Sequence, residues 1–138
     1  MRNCFLKGEQ IYLRHLSEED VKGNYRNWLN DSEICQYNNH FRFPKDEKSL
    51  LDYVQQVHNT DKALVLAIIE NKNNQHIGNI SLQNIDYISR NAEFAIIIGE
   101  KGFWGKGVGY EAGKLLIEHG FNELNLVRIY CGTSDENT

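Results

Sequence analysis

Ala92-Glu93-Phe94-Ala95-Ile96-Ile97-Ile98-Gly99-Glu100-Lys101-Gly102-Phe103-Trp104-Gly105-Lys106-Gly107-Val108-Gly109, running on through Tyr110 to Phe121, is the stretch that decides the fold. Its first part is a short apolar, β-branched run, which suits a strand buried on both faces. Five of the chain's eleven glycines fall between Gly99 and Gly109. Beyond them Val108, Ala112, Leu115, Leu116 and His119 recur at helical spacing. The order is therefore strand, glycine-rich loop, helix.

Such a loop has a physical use. Glycine takes positive φ without strain and lets a ligand come close to the backbone. The first amides of the following helix have no partner within it and sit at the positive end of its dipole. Strand, glycine loop and helix together make an anion cradle, and phosphate is its usual anion. Lys101 and Lys106 add positive charge. No Lys-Ser/Thr pair follows the last glycine, so this is not a P-loop. A dinucleotide fingerprint survives only weakly, with Ala112 in place of its third glycine. An ordinary glycine-rich turn is the plain alternative.

The residues Ala92-Glu93-Phe94 through Ile98, then Trp104-Gly105-Lys106-Gly107-Val108-Gly109-Tyr110-Glu111-Ala112, resemble the acyl-CoA signature of the GNAT superfamily of N-acetyltransferases. The branch they resemble most holds ribosomal-protein N-terminal, spermidine and amino-sugar acetyltransferases. Gly107 and Gly109 fill the glycine positions of the motif Gln/Arg-x-x-Gly-x-Gly/Ala, and Trp104 stands where the motif has Gln or Arg. The resemblance runs from Ile11 to Thr138 and implies one α/β (α+β) domain over residues 1–138. Its sheet would be mixed but mostly antiparallel, with about five strands flanked by three helices. It implies acetyl-CoA as co-substrate. The main chain of Trp104, Gly105, Lys106, Gly107, Val108 and Gly109 would hold the pyrophosphate. The backbone of Ile96, Ile97 and Ile98 would bond the pantetheine arm like an added strand. Asn137 matches an Asn that touches CoA in similar proteins, and it also suits a helix N-cap. Similar sequences continue past this point with a further helix, one or two strands and a Tyr that serves as general acid. The domain is accordingly expected to be incomplete at its C-terminus.

Composition agrees with one folded domain. The chain has 138 residues, 41% of them hydrophobic and 25% charged, ordinary values that support a single core. A net charge of −4 gives no reason to expect a nucleic-acid partner. Cys4, Cys35 and Cys131 lie far apart, which argues for reduced thiols in a cytoplasmic protein and against a zinc site. No apolar run approaches the ~20 residues of a membrane span. A small-molecule amine or a peptide N-terminus is the expected partner, and a homodimer is compatible with this reading.

Along the chain, Ile11-Tyr12-Leu13-Arg14 alternates as a first strand. Ser17-Glu18-Glu19-Asp20 resembles a capping box ahead of a helix carrying Val21, Tyr25, Trp28 and Leu29 on one face. Tyr25 and Trp28 suit core positions. Glu33–Phe43 lacks periodicity; it reads as a loop or as one wall of an acceptor site, with Tyr37 and His40 as candidate contacts. Pro44 opens a second helix with Leu50, Val54 and Val57 inward. Leu64–Ile69 reads as a buried strand and His76–Leu82 as the strand pairing back, with Gly78 suiting a bulge. Asp86–Asn91 is a polar link, and Leu126–Cys131 a fifth strand.

Acetyl transfer needs a base for the amine, a donor for the developing oxyanion, and two reactants held in contact. Glu93 is the candidate base, because a carboxylate in so apolar a strand is costly unless paired or functional. An ion pair with Arg90 or Arg128 is the structural alternative. Glu100 and Glu111 read as solvated charges. An amino-sugar nucleotide is the preferred acceptor, then a protein N-terminus. Polyamine ranks lower because Ile34–Phe43 and Ser81–Asn84 contain no acidic residue. Two other readings stand beside this one: a non-catalytic acyl-CoA-binding or regulatory module, and a Rossmann-type domain, which would need a parallel sheet. No metal is expected.

Overall fold

The computed structural model describes residues 4–21, 28 and 47–131. The expected helix over Val21–Leu29 and its Tyr25, the Glu33–Phe43 segment with Tyr37 and His40, the helix start at Pro44, Cys35 and Asn137 all lie outside them, apart from Val21 and Trp28.

A six-stranded sheet runs in chain order: β1 (Leu6–Lys7), β2 (Ile11–His15), β3 (Leu64–Glu70), β4 (Gln75–Asp86), β5 (Asn91–Ile98) and β6 (Arg128–Cys131). Neighbours are antiparallel except β5 and β6, which are parallel. That parallel pair follows from its connection, since only a crossover such as a helix can join parallel neighbours. The mainly antiparallel order excludes the Rossmann reading. The strand beyond the expected five is β1, whose two residues are too few to show a period.

Among the described residues three α-helices of more than one residue flank the sheet. α1 (Glu18–Val21) and α2 (Glu47–His58) lie on one face, and α3 (Val108–Asn122) on the other. Strand alternation sends Ile80, Leu82, Phe94, Ile96 and Ile98 toward Val108, Ala112 and Leu116 of α3. The opposite face buries Tyr12, Val65, Ala67, Ile69 and Ile97 beneath Leu50, Val54 and Trp28. Trp28 is core, as its residue type suggests, packing edge-on to His76 at 4.8 Å and lying directly against Gly99.

Half of the expected Ser17–Asp20 capping box forms: Asp20 reaches back to Ser17, while the Asp20 amide donates to the Ser17 carbonyl at 3.1 Å and not to its hydroxyl. Asp20 accepts from the Ser17 amide at 2.8 Å and also takes a two-pronged ion pair from Arg14 at 2.8 and 2.9 Å. The pairing shifts at Ile77, next to Gly78, as the bulge expectation requires: Ile68 faces Gly78 while Ile69 faces His76. Gly78 is needed for a second reason. A Cβ there would sit 2.3 Å from the Ile97 carbonyl oxygen. The polar link tightens to a turn in which Asp86 Oδ1 accepts from the Ile88 and Ser89 amides, both at 2.9 Å.

One expectation fails within β5. Only Ala92 and Ile97 of the run Ala92–Ile98 are fully buried, and Ala95 is exposed. β6 pairs with Asn91–Phe94, so among the described residues the far half of β5 is paired by β4 on one side and by no strand on the other.

Candidate active site

The loop after β5 starts with a single 3-10 turn, Lys101–Phe103, and enters α3 through Gly107 as its N-cap. Gly105 and Gly107 both have φ of 79°, the left-handed region that disfavours side chains. Space is open at both: a Cβ on Gly105 would meet nothing within 4 Å. At Gly107 it would reach only Gln10 Nε2, at 4.0 Å. Among the described residues, no group accepts a hydrogen bond from the amides of Val108, Gly109 or Tyr110. Lys106 lies exposed, its amine 6.0 Å from the Phe103 ring centre. The Trp104 indole folds back and donates to the Ile98 carbonyl at 2.8 Å, closing the end of β5. Gly109 rests on the Ile96 and Ile98 side chains, which ties the helix start to the strand.

Glu111 corrects the sequence reading. It is not a solvated charge: its Oε2 accepts from the backbone amides of Gln10 at 2.9 Å and Ile11 at 3.1 Å. This pins the first turn of α3 to the β1–β2 turn. Sequence offered no signal for a contact between residues a hundred positions apart.

Glu93 faces the α1/α2 side, half-buried, opposite Gln83 on β4 and Tyr130 on β6. The ion pair with Arg90 or Arg128 does not form. Arg90 is taken up by Asn125, and Arg128 lies over the Tyr130 ring. Glu93 Oε1 instead accepts from Asn84 Nδ2 at 3.0 Å. A neutral donor holds the carboxylate without neutralising it, and the second oxygen keeps its proton-accepting capacity.

Sequence reasoning missed the floor beside Glu93. Asn79, Ser81 and Gln83 occupy alternate positions of β4 on the same face, opposite Ile97, Ala95 and Glu93. The signal was present in Asn79-x-Ser81-x-Gln83, three polar residues at period two inside an otherwise apolar strand. Gln83 Nε2 donates to Ser81 Oγ at 3.0 Å and makes a long contact of 3.5 Å to the Tyr53 hydroxyl. Burial raises the Tyr53 phenol above its ordinary value, outweighing the opposing Gln83 hydrogen bond, so it stays a neutral donor. His76 Nε2 lies 2.7 Å from Asn79 Oδ1, and its Nδ1 is 3.7 Å from Asp20. Burial lowers the His76 pKa, against the pull of Asp20 and Asn79, and keeps the ring neutral. Burial pushes the Asp20 carboxyl up, but the Arg14 hydrogen bonds, His76 and the Ser17 amide bring it below the usual carboxylate value. Among the described residues no group of His, Cys, Asp and Glu is placed to hold a metal ion. No described helix is long and apolar enough to cross a membrane.

Among the described residues β6 pairs only Asn91–Phe94 of β5, and the glycine loop beyond Ile98 ends at unspent helix-start amides, which together leave an anion cradle at this end of the sheet. Residues 10–138 match the family described as Acetyltransferase (GNAT) domain. The chain is 32% identical over 133 residues to the uncharacterized N-acetyltransferase p20 of Bacillus licheniformis, covering 94% of this chain and 73% of that protein. It is 30% identical over 128 residues to the spermidine N(1)-acetyltransferase of Escherichia coli K12, covering 92% and 66% respectively. Its fold superposes with a TM-score of 0.82 on spermidine N-acetyltransferase from Vibrio cholerae, solved in complex with CoA and spermine. That pair is 27% identical, covering 94% of this chain and 75% of the other. The chain belongs to the GNAT acetyltransferase family and is an acetyl-CoA-dependent acyltransferase. It spans about two thirds to three quarters of the length of these relatives.

Proposed function

We propose that residues 1–138 form one acetyltransferase domain that moves an acetyl group from acetyl-CoA to a primary amine by direct attack. One observation carries this reading. The half of β5 that the described part of β6 does not pair, Ala95–Ile98, held by β4 on its other side, leads through the glycine loop to the unspent amides of Val108–Tyr110. An extended pantetheine arm can add to a free strand edge through main-chain hydrogen bonds, while its diphosphate meets a helix N-terminus. The residues present suit that group. Gly105 and Gly107 leave the approach open, and Lys106 is free to turn toward an anion.

The bound thioester supplies an activated acetyl group; the rest falls to this chain. Ile96–Ile98 and Trp104–Gly109 orient the donor. Glu93, held by Asn84, takes the proton from the incoming ammonium, directly or through one water. The neutral amine nitrogen then bonds to the acetyl carbon as the carbon–sulfur bond breaks; CoA leaves as its thiolate, and the second nitrogen proton passes to that sulfur directly or through water.

An amino-sugar nucleotide is the preferred acceptor and a protein N-terminus the next. The relatives named for spermidine favour a polyamine, but Ser81–Asn84 offers neutral amides and a hydroxyl where a polycation would want carboxylates. Tyr37 and His40 are proposed for the acceptor wall and Asn137 for CoA. The test is a calorimetric titration with acetyl-CoA, followed by CoA release across amino sugars, peptides and polyamines. Turnover on one amine class supports the reading. CoA binding with no release on any amine supports a non-catalytic acyl-CoA-binding module instead.

A further inference from the structure

Gly107, the N-cap of α3, has no side chain to bond the first amides of the helix. A serine, threonine or aspartate there would spend one of them. A glycine cap keeps them free for a ligand, but it gives up the bond that ordinarily orders a helix start. Apolar contact of Gly109 with Ile96 and Ile98 holds one side of the first turn. The polar hold has to come from elsewhere in the fold.

Glu111 supplies it. Its amide donates to the Gly107 carbonyl at 3.0 Å, so it is the first residue past the three unspent amides. Its Oε2 accepts from the main-chain amides of Gln10 at 2.9 Å and Ile11 at 3.1 Å, and its Oε1 from Gln10 Nε2 at 3.3 Å. Gln10 Nε2 in turn lies 4.0 Å from where a Cβ on Gly107 would stand. The turn that Glu111 grips is itself fixed. The Gly8 amide donates to the Ile11 carbonyl at 2.8 Å. Asn71 donates its main-chain amide to the Gln10 carbonyl at 3.0 Å and its Nδ2 to the Glu9 carbonyl at 2.9 Å. The three donors also occupy the Glu111 charge. A free carboxylate in the first turn would compete with an incoming phosphate for the positive end of the helix dipole, and this one is turned to the β1–β2 turn instead. Gly8 leaves it room: a Cβ there would lie 2.2, 2.9 and 3.1 Å from Oε2, Cδ and Cγ of Glu111, its three nearest atoms.

We infer that Glu111 is a positioning residue for the diphosphate of CoA. Clasped to the β1–β2 turn, it holds the amides of Val108–Tyr110 in the arrangement an anion needs, in place of an N-cap side chain, and Gly8 is a glycine so that the carboxylate can seat. The inference rests on the diphosphate lying at these amides, as proposed above. Glu111 acts through the helix start and does not touch the donor.

The experiment titrates CoA, and pantetheine as the ligand without a diphosphate, by calorimetry. The proteins are wild type, Glu111→Ala, Glu111→Gln, Gly8→Ala and the Gly8→Ala/Glu111→Ala double variant. Affinity for the diphosphate falls with the fraction of molecules whose helix start is ordered. Glu111→Ala is expected to lose about tenfold on CoA and less than about twofold on pantetheine. Glu111→Gln should keep CoA affinity within about threefold of wild type, since one carbonyl oxygen can accept from both main-chain amides as Oε2 does. Gly8→Ala reaches the clasp from the other side. Gly8 has no positive φ, so its new methyl acts by pushing the carboxylate off the amides. It should copy Glu111→Ala and add nothing to it in the double variant. Equal losses on the two ligands, no loss on either, or additive losses in the double variant overturn the clasp. If Glu111→Ala does not fold, Gly8→Ala decides alone by its loss on CoA against pantetheine, since the atoms its methyl meets belong to one flexible side chain. Wild type that binds CoA no tighter than pantetheine removes the diphosphate site itself, and the clasp with it.

Discussion

Replacing Gly78 by alanine probes the contact between β4 and the Ile97–Ile98 end of β5. The new Cβ would lie 2.3 Å from the Ile97 carbonyl oxygen and 3.2 Å from Ile98 Cα. Both obstacles are backbone, so no rotamer change relieves them. Ordinary contact begins near 3.4 Å, and the strands must part by about 1 Å at the point where the pantetheine arm is proposed to lie. Overpacking of this kind costs about 1–3 kcal/mol, and each weakened ladder bond adds about 1 kcal/mol. A loss of about 3 kcal/mol lowers the melting temperature of a chain this size by about 10 °C. Gly78 has no positive φ, so without the clash alanine would stabilise by about 0.4–1 kcal/mol through the unfolded chain. The sign of the change is therefore diagnostic. Urea denaturation followed by circular dichroism gives the stability, and calorimetry with CoA gives the affinity of the displaced edge. A variant as stable as wild type, with unchanged CoA affinity, would refute the close approach of β4 to Ile97.

Gly109→Ala should behave oppositely. Its Cβ meets only Ile96 and Ile98 at 3.8 and 3.9 Å, so helix propensity predicts a gain of up to about 1 kcal/mol, read by the same denaturation. Gly107→Ala keeps open space but meets φ of 79°, and should cost about 1–2 kcal/mol, with Gly107→Asn costing less. Glu93→Gln should lower kcat at neutral pH by about 10²–10⁴-fold with CoA affinity nearly intact; equal turnover would remove Glu93 from the mechanism. Stability should fall on acidification in two stages. His76, His15 and His119 have pKa values lowered from 6.5, so the unfolded chain binds protons first as pH drops through 6.5. Asp20, lowered from 3.8, loses its contribution only below that value. His76→Gln should flatten the upper stage and Asp20→Asn the lower, as measured by urea midpoints against pH.

The elements with strong periods were legible. Val108, Ala112 and Leu116 repeat at helical spacing, and the apolar run Leu64–Ile69 admits only a buried segment, so α3 and β3 follow from sequence. The Gly78 bulge and the Ser17–Asp20 box were also legible, because each depends on residues close in the chain. What was hidden depends on register. Glu93 and Asn84 meet because a second shift in the β4–β5 ladder, between Gln83 and Asp86, brings Asn84 round at φ of 51°. Glu111 looked solvated because its partners are main-chain amides, which carry no residue signature. Ala95 looked buried because an apolar strand does not reveal how far along it the neighbouring strand pairs.

The amides themselves give the sharpest check on how this chain would hold its acyl donor. A ¹⁵N–¹H correlation spectrum recorded during a CoA titration should move Gly107, Val108, Gly109 and Tyr110 downfield as each acquires a phosphate acceptor. Pantetheine, which lacks the diphosphate, should leave them in place while still shifting Ile96–Ile98. Loop amides that stay still as CoA binds elsewhere would contradict the account.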